Sequence, residues 1–420
     1  MKSFLIKIGP FTRKILLESQ YVFYINLLEK VVFFVFFLIL ARELDKTHYG
    51  LIATVFAFTN ILNSFFDLGF SFYFQREAGT EDLKQKLESA ISFRLILMVI
   101  FVVVMFLYLY SNLSIDPVII GIIGLLTYLS GFNLILNSVL YGQKKYKKSF
   151  MGFLFSRIIF AILIIFFYLI KVQHYLILVS LLVSVIFHLG ILYKYLCEEK
   201  LYLQIKFDYS VLKKILYSSI PIGLGIIFVL VYDRVDILII ERFLSFEAVA
   251  IYSIAYSLYK IPTIISGVIL TPVFTDLSKS YSLTNKIDPH EILLVSLILL
   301  IISVAAILLV NIFGETIILF FYSSKYSFSI PYLKYLAFAL PGLFFNNLTG
   351  VIGNSIRKEK TPMISAGVGA LIHISITVIL IRFYGIWGAV IATIISEYFV
   401  FILQFILLLR HNLKYKFFTA

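Results

Sequence analysis

The sequence is poor in the residues on which many protein classes depend. It has one cysteine, Cys197, so an internal disulfide is excluded. Only 14% of its 420 residues are charged, while 61% are hydrophobic, against about 45–50% in soluble globular proteins. A soluble domain of this size still exposes about a quarter of the surface of its unfolded chain, which so little polar material could not cover. There is no GxxxxGK[ST] loop and no domain-sized linker to hold one, which excludes ATP-driven work by this chain. HExxH pairs and nucleophile elbows are likewise missing, as is any metal-ligand spacing. The first twenty residues carry Lys2, Lys7, Arg13, Lys14 and Glu18 with no cleavable apolar run, so no signal peptide is expected.

What is present is apolar sequence in long blocks. A helix needs about 20 mainly apolar residues to cross the hydrocarbon core. Twelve runs qualify: 17–41, 48–73, 90–111, 117–141, 150–171, 174–195, 215–240, 248–274, 291–313, 330–353, 362–382 and 386–409. The runs are continuous rather than alternating, which excludes a membrane β-barrel and leaves helices whose backbone groups pair internally. The expected fold is an all-α polytopic membrane protein with twelve transmembrane helices, multi-pass in the cytoplasmic membrane.

The net charge of +13 is spread thinly between these runs, which reads as membrane topology rather than nucleic-acid binding. With the last two residues of each run counted with the loop that follows, the termini and the loops after even-numbered spans hold 24 Lys and Arg; the loops after odd-numbered spans hold six, Arg42, Lys46, Lys171, Arg242, Lys325 and Arg382. By the positive-inside rule both termini are expected in the cytoplasm. Six cations remain inside the spans themselves: Lys30, Arg94, Arg157, Arg234, Lys260 and Lys334.

The chain also resembles itself at an offset of 200. RKILLES (13–19) matches KKILYSS (213–219), and Arg42 and Leu44 match Arg242 and Leu244 in the corners that follow. Six helices per half is an even number, so the two halves enter from the same side and form a parallel repeat. This predicts two six-helix bundles, residues 1–205 and 206–420, with a transport path between them.

Three stretches then carry a family resemblance: ARELDKTHYGLIATVFAFTNILNSFFDLGFSFYFQREAG (41–79), with its Asp67-Leu68-Gly69 turn; SIPIGLGIIFVLVYDRVDILIIERFLSFEAVAIYSIAYSLYKIP (219–262), with an intramembrane Asp; and YGIWGAVIATIISEY (384–398), with Ser396-Glu397. In that order the chain resembles the polysaccharide-repeat-unit flippases, the O-antigen type within the multidrug/oligosaccharidyl-lipid/polysaccharide (MOP) exporter superfamily. The resemblance implies a non-enzymatic flippase that moves a polyprenyl-diphosphate-linked oligosaccharide across the bilayer by alternating access. No cofactor is expected; the acids within the spans motivate Na⁺ or H⁺ as a coupling ion, bound at Asp233 and Asp236 or at Glu397. The implied partners are the lipid-linked substrate, the bilayer and other polysaccharide-assembly membrane proteins, with no nucleic acid.

A charge at mid-bilayer costs at least about 2.5–3.5 kcal/mol on insertion scales, so each must be paired or face a wet cavity. At 1.5 Å per residue, Lys30 lies roughly 20 Å into its span, Lys260 about 18 Å and Arg157 about 11 Å. One reading gives Lys30, Arg94, Arg157, Arg234 and Lys260 to an anionic diphosphate, Arg by bidentate contact and Lys as a point charge. The other makes them interhelical locks or residues snorkelling to the interface, as expected for Lys334. Glu29, Asp233, Asp236 and Glu397 are the ion-coupling candidates; Asp233 and Asp236 are three apart and share a helix face. They equally suit pairwise neutralisation of the cations. Pro221, Gly223 and Gly225 are expected to open the seventh span and Pro262 to interrupt the eighth, as hinges or packed kinks. His188 and His373 read as interhelical hydrogen bonders. Two alternatives remain. A MATE-like drug/cation antiporter should have an acid-lined cavity and few buried cations. A polysaccharide polymerase or ligase should have a large outer loop, whereas the odd-side loops run only about 2–17 residues by the span limits above.

Overall fold

The computed structural model describes residues 10–111, 116–170 and 175–415. Lys2, Lys7, Lys171 and Lys416 of the charge count lie outside them. Among the described residues every regular element is helical, and twelve helices are long and apolar enough to cross a membrane. The chain is a multi-pass membrane protein.

Its helices fall into two compact units. The first comprises residues up to Glu43 and Phe58–Ile226. It contains α1 (Pro10–Glu43), the second half of α2 (Lys46–Asp67), α3 (Phe70–Glu77), α4 (Leu83–Ser111), α5 (Pro117–Gly142), α6 (Tyr146–Leu169), α7 (Tyr175–Glu198) and the beginning of α8 (Tyr209–Phe243). The second unit comprises Leu44–Ala57 and everything from Ile227. It holds the first half of α2, the remainder of α8, α9 (Phe246–Tyr259), α10 (Thr263–Thr284), α11 (Pro289–Tyr322), α12 (Ser329–Leu336), α13 (Leu340–Ser355), α14 (Lys360–Tyr384) and α15 (Ile386–Tyr415).

Helix starts follow local chemistry. Asp116 accepts from Val118 N at 2.8 Å ahead of Pro117, and Ser245 caps α9 by accepting from Ala248 N at 3.2 Å. Each side chain satisfies an N–H that the first helical turn leaves without a carbonyl. Breaks occur where the backbone leaves the right-handed region. Leu68 (φ 51°) and Gly69 (φ 79°) stop α2 at Asp67, so the apolar Phe70–Phe74 stretch turns into the separate helix α3 instead of continuing the predicted span to residue 73. A Cβ on Gly69 would stand 2.4 Å from the Ser219 carbonyl oxygen, and one on Gly223 would stand 2.6 Å from the Leu68 carbonyl carbon. The two glycines thus let the turn lie directly on the backbone of α8.

Around that contact, Phe70, Phe74, Leu87, Val139, Leu196 and Ile215 form a buried apolar core of the first unit. Pro221 corrects an expectation: it sits inside α8, which begins twelve residues earlier at Tyr209 and runs through it. Pro262 does interrupt its span, separating α9 from α10 across Lys260–Pro262.

Two corners that the sequence aligns at an offset of 200 meet within the second unit. The corner after α1 belongs to this unit and meets the corner after α8: Thr47 Oγ1 donates to Glu247 Oε1 at 3.4 Å, between residues 200 apart. Lys325 Nζ donates to the Leu44 carbonyl beside it, and the Tyr49 and Tyr326 rings lie 5.9 Å apart.

Candidate functional site

The intramembrane charges fall into four groups. The first is closed. Arg94 on α4 is fully buried; its Nη2 donates to Asn63 Oδ1 at 2.5 Å and its Nη1 to the Phe66 carbonyl at 3.1 Å, with Asp67 Oδ1 at 3.9 Å. The guanidinium also lies over the rings of Tyr128 and Phe132 on α5, at 5.0 and 5.2 Å. A Cβ on Gly131 would stand 1.7 Å from Nη2, so only glycine leaves room for this side chain. Arg94 therefore binds α2, α4 and α5 together and presents no surface to a substrate in this conformation.

The second group, also in the first unit, is more open. Arg157 on α6 is 9% exposed, lies 4.5 Å over the Phe153 ring, and donates through Nη1 to Ser184 Oγ at 3.2 Å. Ser184 in turn donates to the Ser156 carbonyl at 2.8 Å. Among the described residues the Arg157 Nε has no hydrogen-bond partner. Glu29 on α1 interacts electrostatically with both Arg157 and its neighbour Lys30, and Glu29 and Lys30 are exposed at mid-span. His188 packs edge-on to Phe153, with ring centres 5.7 Å apart.

The third group lines a cavity of about 720 Å³ in the second unit, within the range of about 300–1,000 Å³ usual for small-molecule sites. The break after α9 places Lys260 there: its Nζ lies 2.8 Å from Asp233 Oδ1 and 3.8 Å from Glu397 Oε1. Tyr256 OH donates to the same Asp233 oxygen at 2.8 Å, and Arg234 Nε approaches Asp233 Oδ2 at 3.4 Å. Lys260 and Asp233 are about a quarter exposed, whereas Glu397 is enclosed. From Glu397 a hydrogen-bonded ladder runs along the wall. Asn346 Nδ2 donates to Glu397 Oε2 at 3.3 Å, Gln404 Nε2 to Asn346 Oδ1 at 2.8 Å, and Thr349 Oγ1 to Gln404 Oε1 at 2.9 Å. Asn347 Nδ2 donates across to Ser266 Oγ at 3.4 Å, and Thr263, Thr271 and Asn354 add further polar groups to the lining. The lining itself holds one cation, Lys260, and two carboxylates, Asp233 and Glu397, with Arg234 reaching Asp233 from outside it.

The fourth group lies outside that lining. Asp236 turns to a different set of partners from Asp233: His373 Nε2 at 2.8 Å, Tyr252 OH at 2.5 Å, and the hydroxyls of Thr377 and Thr393 at 3.2 Å each. The shared helix face expected for the two aspartates is thus divided between two environments. Lys334, expected at the interface, sits in the last turn of α12 and is half-buried.

The amide ladder was not among the sequence candidates, although a signal for it exists. Asn347 and Asn354 are seven apart, as are Glu397 and Gln404, a spacing that puts each pair on one helix face. Polar residues at that interval in apolar spans mark a wetted stripe.

Comparison with known proteins then places the chain. The family model described as "Polysaccharide biosynthesis protein" matches residues 17–278, and the MatE model matches residues 221–379. No curated protein sequence matches. Among solved structures, the chain is similar to an inward-facing multidrug resistance MATE family transporter of the MOP superfamily. That likeness has a TM-score of 0.72 at 16% identity and covers 93% of this chain and 96% of that one. It is also similar to the lipid II flippase MurJ in an inward closed conformation, with a TM-score of 0.70 at 18% identity, covering 94% and 87%. With a family model spanning more than half its length, the chain belongs to the polysaccharide biosynthesis protein family, and it shares the twelve-helix fold of these neighbours.

Proposed function

We propose that this protein is a flippase for a polyprenyl-diphosphate-linked oligosaccharide, working by alternating access in the cytoplasmic membrane. The observation that carries the reading is the wall of the second unit's cavity. Side-chain amides and hydroxyls there offer donors and acceptors in sequence. Sugar hydroxyls and acetamido groups are recognised by such neutral groups. A ligand lacking them would leave the ladder's outward valences unpaired, at a cost of about 1–3 kcal/mol for each group buried.

In this reading the saccharide lies against Asn346, Asn347, Asn354 and Gln404, with Lys260 and Arg234 at its charged end. Within the first unit, taken by itself, Lys30 and Arg157 are candidates for contact with a diphosphate, while Arg94 keeps its helices together. The polyprenyl tail stays in lipid, both termini face the cytoplasm, and the halves 1–205 and 206–420 act as the two rocking bundles. The chain is a carrier and not an enzyme, fed by and handing on to other polysaccharide-assembly membrane proteins.

A second reading has its own support. Asp233 and Glu397 face the cavity that the MatE match covers in part, and two carboxylates suit a cationic drug. The test is reconstitution of the full chain into liposomes with a polyprenyl-diphosphate disaccharide whose fluorophore is quenchable from one leaflet only. Flipping of at least half the label supports the flippase. A static label, with ethidium exported from the same vesicles, replaces it with the antiporter.

A further inference from the structure

Between α7 and α8 of the first unit runs a connection that neither reading uses, and residues 201–208 of it form neither helix nor strand. Its side chains divide into two sets. Leu201 and Leu203 pack on the buried core of this unit, beside Leu212 and Ile215 of α8. Tyr202, Ile205, Phe207 and Tyr209 turn outward and are 59%, 79%, 49% and 69% exposed. Two contacts fix the level of the connection. Gln204 N donates to Glu88 Oε1 at 2.9 Å, and Gln85 Nε2 donates to Asp208 Oδ2 at 3.3 Å. Gln85 and Glu88 stand in the opening turns of α4, which starts a membrane span at Leu83. The outward apolar side chains therefore lie beside the end of a span, where hydrocarbon gives way to headgroups.

Cations are interleaved with them. Lys200, Lys206, Lys213 and Lys214 are exposed, and among the described residues none is in an ion pair. The acids of the region are already engaged: Glu198 and Glu199 by Lys145 and Lys148, Asp208 by Ser210 and Gln85, and Glu88 by Gln204 N. Lys200 also sits against its backbone preference. Its φ is 62°, in the turn that closes α7, where Lys200 N donates to the Cys197 carbonyl and Leu201 N to the Leu196 carbonyl. Glycine fills such a position without strain, so what a lysine adds there is its charge. Lys144 stands in the same kind of turn after α5, at φ 59°.

We propose that residues 200–214 form a docking strap for the anionic headgroups of bilayer phospholipids. The aromatic and aliphatic side chains enter the acyl boundary, and the lysines stay with the phosphates. An acidic soluble protein would suit the lysines, but it would have to cover apolar side chains that stand at the level of the lipid. Lys213 and Lys214 lie in the opening turns of α8, so lipid held by the strap also anchors the start of that helix. The proposal draws on nothing in the second unit and does not rest on the flippase reading.

The test places an NBD fluorophore on Ile205→Cys in a Cys197→Ser background and reconstitutes the full chain in phosphatidylcholine liposomes. Brominated lipid, which quenches on contact, is added at matched mole fractions as phosphatidylglycerol or as phosphatidylcholine. One lysine near an anionic surface contributes about fivefold in affinity, so with all four lysines in place phosphatidylglycerol should quench at a mole fraction at least about tenfold lower. Replacing all four by glutamine should abolish that preference. It should shrink in 1 M salt, where the screening length is about 3 Å. Phe207→Ser should weaken quenching by both lipids alike. Lys200→Gly should lower the preference about fivefold while keeping or raising the melting temperature, since the strained turn is relieved. Equal quenching by the two lipids overturns the proposal, because the strap then rests in lipid without selecting its charge. Absence of quenching by either, with the fluorophore open to aqueous iodide, also overturns it and leaves the surface to a soluble partner.

Discussion

Arg94 and Lys260 are both cations inside membrane spans, each facing a carboxylate, and their surroundings assign them opposite work. Arg94 spends its donors on Asn63, a backbone carbonyl and the Asp67 side of α2, under two aromatic rings, with none of its surface exposed. Lys260 sits at a helix break, shared between Asp233 and Glu397, a quarter exposed and lining the cavity of about 720 Å³. A buried ion pair is structural when protein encloses its charged groups on every side. It is available for function when a helix break leaves part of it exposed.

The sharpest way to break the comparison is at Arg94. Removing one member of a buried pair costs about 3–5 kcal/mol, since the remaining charge has no partner. Arg94→Ala should therefore lower the melting temperature of the purified protein more than any single substitution in the cavity wall. Gly131→Ala should do nearly the same by displacing the guanidinium. Arg94→Met combined with Asp67→Asn removes both charges and should recover most of the loss. If Arg94→Ala melts like the wild type but no longer flips substrate, Arg94 belongs with Lys260 and the distinction collapses.

Lys260 should behave in the reverse way. Asp233 keeps Arg234 and Tyr256 as partners and Glu397 keeps Asn346, so Lys260→Ala should lower the melting temperature less than Arg94→Ala. A hydrogen bond to a charged group contributes about 1.5–3 kcal/mol, which makes the loss in flipping rate roughly tenfold to a hundredfold. Asn346→Ala and Gln404→Ala remove neutral bonds at about 0.5–1.5 kcal/mol each, and should weaken saccharide binding by only a few-fold to about tenfold. Titrating a short-chain polyprenyl-diphosphate disaccharide into each variant checks that order.

The same contrast explains what could be read from the sequence. Twelve spans were legible because a run of some twenty apolar residues has one use in a membrane. Where the helices bend was not: Phe70–Phe74 is apolar enough to extend a span, but Leu68 and Gly69 turn the chain aside, and hydropathy records composition and not direction. Pro221 misled the other way, since a membrane helix can carry proline when neighbouring groups satisfy the freed carbonyl. Charged residues announced themselves by the cost of burying them. Their partners did not, because the Asp236–His373 and Arg94–Asn63 pairs join residues 137 and 31 positions apart. Asn346 and Gln404 were silent because a lone amide in a span is inexpensive enough to pass for packing.

The smallest effect belongs to charges at the edge of the first unit. Lys145 and Lys148 both donate to Glu199, just beyond α7, with Glu198 as a second acceptor for Lys148. Those lysines hold the Glu199 carboxyl below its usual range. Its contribution to stability is thus present above the ordinary carboxylate pKa, and it is lost as the pH falls through the depressed value in the folded protein. The groups are about a quarter to two-fifths exposed, so solvent and salt screen them, and exposed pairs are worth at most about 1 kcal/mol. Glu199→Gln should lower the melting temperature by no more than a degree or two at pH 7 and low salt. At high salt, or at a pH below the depressed value, it should be indistinguishable from the wild type. A larger loss that salt leaves untouched would mean that this edge is as tightly enclosed as Arg94, and that burial is not what separates the two kinds of charge.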